Sequence, residues 1–213
     1  MPDGTHLVAP AEADRIALPQ GAVLRCLWPY EFDQFQHHLL RLDGISRITR
    51  FGRGVSDEWL KGYSLETDWL RGAVLGCWIE GRLRGVAELR RAGPGWSPAA
   101  ETAVSIEAPF QNNRLGSVLA RRIGLVARNR GVRMLQITTL ATNVRMLRIL
   151  SRLGARLRRA GDQVEAEIEL APADGMTLVD EWVEQSRAVL QTLGLRSATA
   201  SGDSVRRESA ARR

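Results

Sequence analysis

Apolar positions recur along the chain with two periods, and the switches between them predict an alternation of strands and helices. A first strand is expected at about residues 22–28, ended by Pro29. Phe32, Phe35, Leu39 and Leu42 then follow at spacings of three, four and three, which places them on one face of a helix that begins near Glu31. Gly44 is expected to end that helix, and Ser56 is suited to cap a short second one carrying Trp59 and Leu60. Residues 73–79 and 83–89 read as a hairpin turned by Glu80, Gly81 and Arg82, with glycine supplying the positive φ of a tight turn. A Gly/Pro loop leads to a strand at 101–108. There Thr102, Val104 and Ile106 face one way, and Glu101, Ala103, Ser105 and Glu107 the other.

Beyond Pro109 the period lengthens again. Leu115, Val118, Leu119, Ile123 and Val126 form the stripe of a helix at about 114–130, with Gly131 past its end. A strand at 133–139 and a helix at 142–153, ended by Gly154, follow. Val164, Ala166, Ile168 and Leu170 alternate with Glu165, Glu167 and Glu169 in the last expected strand, whose acidic face discourages edge pairing. An amphipathic helix at 178–193 closes the pattern, with Thr177 and Asp180 as its capping pair and Gly194 at its end.

Composition and charge narrow the partners. No run of 18 apolar residues is present, so no membrane span is expected. The N-terminus has acidic residues and lacks the apolar stretch of a signal peptide, and Cys26 and Cys77 stand far apart; both features suit a cytoplasmic location. His37 and His38 are adjacent on a helix and do not share a face, so no metal site is expected. The formal charge is +6 and almost all of it is arginine. Arg121, Arg122, Arg128 and Arg130 make one helix basic, but it lacks the interleaved aromatics that stack on bases, which argues against nucleic acid.

The segment richest in candidate chemistry is strand, loop, helix: AETAVSIEAPFQNNRLGSVLARRI. A helix N-terminus offers unpaired amides and partial positive charge, and the polar loop Gln111, Asn112, Asn113, Arg114, Leu115, Gly116 and Ser117 can bring them to a pyrophosphate.

This segment resembles the Gln/Arg-x-x-Gly-x-Gly/Ala signature of the GNAT N-acetyltransferases, matched at Gln111, Leu115 and Gly116. The resemblance extends to Asn143, at the start of the next helix, and to Gly154 beyond it. The N-terminal half is similar to the bacterial protein-lysine acetyltransferase branch, including its Ser-Arg-x-x-Arg-Phe segment at Ser46, Arg47, Arg50 and Phe51. Three positions depart from the pattern: Arg114 replaces the first glycine, Ala155 an aromatic, and Leu150 the tyrosine that serves many members as general acid.

The resemblance implies an α/β fold with a mixed, mostly antiparallel sheet, helices on both faces and, here, an extra C-terminal helix. It implies acetyl-CoA as cosubstrate, with pantetheine against the strand ending near Ile106, pyrophosphate on residues 111–117, and Asn143 on the cofactor's other side. Glu101 occupies the position of the branch's catalytic glutamate, and Glu107 is its rival on the same strand face, closer to the phosphates. The expected organisation is a leader (1–21), an acyl-CoA-binding domain (22–171), a C-terminal helix (172–194) and a basic tail (195–213). The expected activity is acetyl transfer to a primary amine, whether a protein lysine or a small amine. The alternative is a CoA-binding regulatory module without transfer. The final helix packs on its own domain or supports a homodimer.

Overall fold

The structure, a computed structural model, describes residues 21–91 and 97–192. The expected leader, the tail, Gly194 and most of the Gly/Pro loop lie outside those residues. Seven strands form one sheet: β1 (Val23–Cys26), β2 (Ala73–Ile79), β3 (Arg82–Arg91), β4 (Ala99–Ile106), β5 (Met134–Leu140), β6 (Arg156–Ala160) and β7 (Gln163–Glu169). Their order is β1-β2-β3-β4-β5-β7-β6, and every neighbouring pair is antiparallel except β4 with β5. The helices are α1 (Phe32–Leu40), α2 (Gly44–Phe51), α3 (Asp57–Leu65), α4 (Leu115–Asn129), α5 (Val144–Arg152) and α6 (Gly175–Thr192).

Two apolar clusters sandwich the sheet. Leu115, Leu119 and Ile123 of α4 pack with Leu75, Leu89 and Leu135 on one face. Phe35 and Leu39 of α1, with Leu60 of α3, pack with Val74 and Val86 on the other. The expected mixed, mostly antiparallel sheet with helices on both faces is therefore present. Glu80 and Gly81, both at positive φ, form a two-residue hairpin turn, and Arg82 already belongs to β3.

Four expectations are corrected. Gly44 starts a helix instead of ending one: α1 stops at Leu40, and Asp43 caps α2 by accepting from the Ser46 amide at 2.7 Å. A stop signal and a short helix with no fully buried residue concealed α2. Secondly, residues 156–160 form β6, so β7 is an interior strand. β6 is almost wholly exposed and arginine-rich, hence without apolar alternation, and Arg156 and Arg158 instead pair with Glu169 and Glu165 of β7. Thirdly, α6 starts earlier than expected. Its capping box joins Asp174 and Thr177: Asp174 Oδ1 accepts from the Thr177 amide at 2.8 Å, and Thr177 Oγ1 from the Asp174 amide at 3.1 Å. Lastly, Arg114 is not in α4 but precedes it in a left-handed conformation.

The C-terminal helix packs on its own chain. The Gln185 side-chain amide meets the backbone of Cys26 on edge strand β1, accepting from its N–H at 3.1 Å. Arg128 donates to the carbonyls of Ala171 and Pro172, and Arg130 pairs with Glu181, so part of the basic face of α4 receives α6 and the segment before it.

Candidate functional site

The site begins with a defect in the sheet. β4 and β5 pair only at Ala99–Met134, Ala100–Leu135 and Glu101–Gln136, after which they diverge. Val104 and Ile106 of β4 therefore border a gap instead of a neighbouring strand. One cavity lies at each end of this splay. A groove of about 710 Å³ occupies the open end, between β4, the start of α4 and α5. A cavity of about 340 Å³ runs from the vertex at Glu101 along β5 and β7, beneath α2 and α3. The two share Thr49, Arg50 and Leu140, so they meet at the splay.

The groove is basic. Arg50, Arg114, Arg145, Arg148 and Arg152 line it, and no carboxylate does. Asn112 and Arg114 have φ of 65° and 59°, and alternation of positive and negative φ is the backbone geometry of an anion-binding nest. The Leu115 and Gly116 amides that open α4 have no acceptor among the described residues, whereas those of Ser117 and Val118 donate to Arg114 O at 3.0 and 3.2 Å; the 15-residue helix adds its positive end. A Cβ on Gly116 would approach Ile149 to 3.3 Å and Ile106 to 3.4 Å, so glycine lets α4 sit close to α5 and the end of β4.

Of the residues singled out in the sequence, Ile106, Gln111, Asn112, Arg114, Gly116, Ser117 and Asn143 all line this groove. Asn113 is exposed and outside the lining, and Leu115 is buried in the core beneath it. Gln111 is already engaged. Its Nε2 donates to Ile106 O at 3.0 Å and to Ser46 Oγ at 3.1 Å, and its Oε1 accepts from Arg145 at 2.9 Å. Asn143 caps α5, accepting from the Met146 amide at 3.2 Å and donating to Thr139 Oγ1 at 3.0 Å. Both side chains thus hold the walls of the groove together.

The two candidate glutamates, Glu101 in β4 and Glu107 just past its end, differ. Glu101 is exposed and lines the vertex cavity. Glu107 is buried at 5% exposure and accepts from Arg41 at 2.8 Å and Arg84 at 2.7 Å, with His38 Nδ1 at 3.4 Å. Burial alone would raise its pKa, but hydrogen bonds from His38, Arg84 and Arg41 outweigh it and pull the carboxyl down to about 2. Arg41 and Arg84 thus offset the Glu107 charge at the groove end. His38 itself is buried, contacts Ser105 Oγ at 3.0 Å, and is held toward its neutral form by desolvation.

Sequence reading missed the cluster over the vertex cavity. Glu88, 2% exposed, accepts from Arg50 at 2.6 Å and from the Tyr63 hydroxyl at 2.9 Å, and Arg90 lies 3.4 Å away. Burial raises the Glu88 pKa, yet the charges of Arg50 and Arg90 prevail and keep it ionised. Burial, then the Glu88 charge, keeps Tyr63 protonated. The Ser-Arg-x-x-Arg-Phe segment explains itself here: Ser46 accepts from Gln111, Arg47 donates to the carbonyls of Leu40 and Leu42, Arg50 binds Glu88, and Phe51 stacks edge-on against Trp59 and Tyr63. A charged residue amid the apolar run of β3 was the available signal for Glu88. Leu150 is 1% exposed and packed in the core, so that position offers no proton donor.

Solved structures share this architecture. The GNAT domain of a Streptomyces lividans protein acetyltransferase superposes with a TM-score of 0.60 at 22% identity, over 69% of this chain and 89% of that one. The chain has the GNAT fold. A Salmonella typhimurium protein solved with acetyl-CoA as its cofactor matches the GNAT fold of this chain with a TM-score of 0.51, at 19% identity over 72% of this chain and 96% of that one. A cAMP-binding acyltransferase from Mycobacterium smegmatis matches at 0.52 and 22% identity over 80% of this chain, which spans only 51% of that protein. No family model matches the sequence, and no curated protein does. Within the GNAT fold, no group of three or more potential metal ligands occurs among the described residues.

Proposed function

We propose that the chain is an acetyl-CoA-dependent N-acetyltransferase acting on a primary amine. The observation that supports this best is the splay of β4 from β5, with a basic groove at one end and an acidic cavity at the other. Amides and arginines around Asn112–Ser117 would hold the pyrophosphate, and the unpaired edge of β4 near Ile106 would take pantetheine as an added strand. A backbone N–H at the splay would stabilise the oxyanion. Glu101, beside the vertex cavity, would take the proton that an ammonium must lose before it attacks. Asn143 would act on the cofactor side chiefly by fixing the start of α5. A second reading, CoA binding without transfer, is favoured by the burial of Leu150, because no tyrosine can act from that position.

Thermal shift and thiol release together test the reading. Acetyl-CoA at about 100 times its dissociation constant contributes about 2.7 kcal/mol, which is roughly 5–10 °C in melting temperature at this size. Thiol release with a panel of primary amines should accompany that shift. A shift without thiol release for any amine establishes the second reading, and no shift at millimolar acetyl-CoA overturns both.

A further inference from the structure

Sheet register lays Glu101 on β4, Gln136 on β5 and Glu167 on β7 in one row across three strands. Ladder partners point to the same face, and all three line the vertex cavity. Two interstrand spacings separate the outer pair, on the order of 10 Å between Cα atoms. Ion pairing divides the cavity's carboxylates into two kinds. Glu88 is held by Arg50 and Arg90, and Glu165 by Arg158. Glu101 and Glu167 have no ion-pair partner among the described residues, and Glu167 accepts only from Gln136 Nε2, at 3.4 Å. Of the four carboxylates that line the cavity, these two have no arginine within ion-pair distance among the described residues and face each other across a neutral amide; Arg156, opposite Glu167 in the β6–β7 ladder, is bound to Glu169 instead.

We propose that Glu167 is a specificity-determining residue, and that it holds the distal ammonium of a linear diamine whose other amine lies at Glu101. The inference rests on the acetyl-transfer reading and names its acceptor. A diamine places a second cation within the same cavity, one short chain away from the base, and neutralises both carboxylates. An amino acid brings its own carboxylate to a wall that already carries two unpaired ones, and is repelled. In the transfer, the proximal nitrogen forms a bond to the thioester carbonyl carbon as the carbon–sulfur bond breaks. Of the two protons the ammonium loses, one passes through Glu101 to solvent and the other ends on the departing thiol.

The test compares cadaverine with n-hexylamine, its isostere in which a methyl replaces the distal ammonium. Wild type should show kcat/KM about tenfold higher for cadaverine, the scale of one charge-assisted contact. Glu167→Gln should bring that ratio near one, while Glu80→Gln, which removes the same charge from the exposed β2–β3 turn outside the cavity, should preserve it. Equal use of the two amines by wild type, a ratio insensitive to Glu167→Gln, or a lysine peptide used better than cadaverine overturns the proposal. If no amine releases thiol, the acetyl-transfer reading fails separately, and calorimetric titration of cadaverine decides the Glu167 assignment. Binding weakened about tenfold by Glu167→Gln supports it; absent or unchanged binding sinks it.

Discussion

The groove and the cavity that meet at the β4–β5 splay carry opposite charge. On the groove side, five arginines and a helix N-terminus face the gap with no carboxylate among the lining residues. Across the splay, four glutamates line the cavity against two arginines, and both arginines are bound to Glu88. Two carboxylates share one alternation face, Glu101 in β4 and Glu107 just past its end, and the structure treats them differently. Glu107, at the groove end, is neutralised by Arg41 and Arg84, whereas Glu101, at the cavity end, is left without an ion-pair partner among the described residues. Local charge balance, more than residue type, thus separates a structural glutamate from a candidate base.

The sharpest test of that contrast exchanges each glutamate for its amide. Glu101→Gln should lower turnover by about 10²- to 10⁴-fold, the scale of general-base loss, with acetyl-CoA affinity nearly intact. Glu107→Gln should instead destabilise the fold by about 3 kcal/mol, since it removes the buried carboxylate that binds Arg41 and the partly buried Arg84. That is roughly 6–12 °C in melting temperature. If Glu107→Gln abolishes turnover in a stable protein while Glu101→Gln does not, the two roles must be exchanged.

Acid pH reads the same difference. The Glu107 carboxyl titrates at about 2 in the folded chain against about 4.5 when unfolded, so the unfolded state binds protons first as pH falls. Its contribution is complete above the unfolded value and disappears as pH drops from about 4.5 to 2. Melting temperature should fall through that window in wild type, with a smaller slope in Glu107→Gln.

On the groove side, Arg114 combines charge with left-handed backbone. Arg114→Ala removes the guanidinium but keeps a Cβ, and should weaken acetyl-CoA binding by about tenfold. Arg114→Gly should weaken it similarly and yet raise the melting temperature of the free protein by a few degrees, because relief of the left-handed conformation contributes about 1 kcal/mol. Tighter binding by Arg114→Gly would show that the arginine obstructs the groove. The smallest effect is expected at Leu150. Leu150→Tyr overpacks the core, costing about 1–2 kcal/mol, and should not raise turnover, since the side chain does not line the groove.

Much of this was readable from the chain. Strong periodicity located α1, α4, the β2–β3 hairpin, β5 and β7, and the loop before α4 stood out because polar, small residues entered an apolar helix. Two elements escaped. α2 carries Ile45, Ile48 and Phe51 at helical spacing, but it spans only two turns behind a glycine that reads as a stop, and buries none of them fully. β6 leaves no hydrophobic period, because its five residues are held by arginine–glutamate pairing across the ladder. Yet α2 supplies Ser46, Thr49 and Arg50 to the site.

What the sequence determined by itself was local: the strand-loop-helix that opens the groove, the alternation that puts Glu101 and Glu107 on one face, and the caps at Ser56 and Asn143. These depend on neighbours a few positions apart, and a short stretch of chain specifies them. The tertiary structure alone decided which carboxylates carry partners. Arg41 and Arg84 reach Glu107 from α1 and β3, Arg50 reaches Glu88 from α2, and the Glu101–Gln136–Glu167 row exists only through the strand order β4-β5-β7. Charge compensation acts through space over a few ångströms, and residues that close in the fold can be dozens of positions apart in the chain.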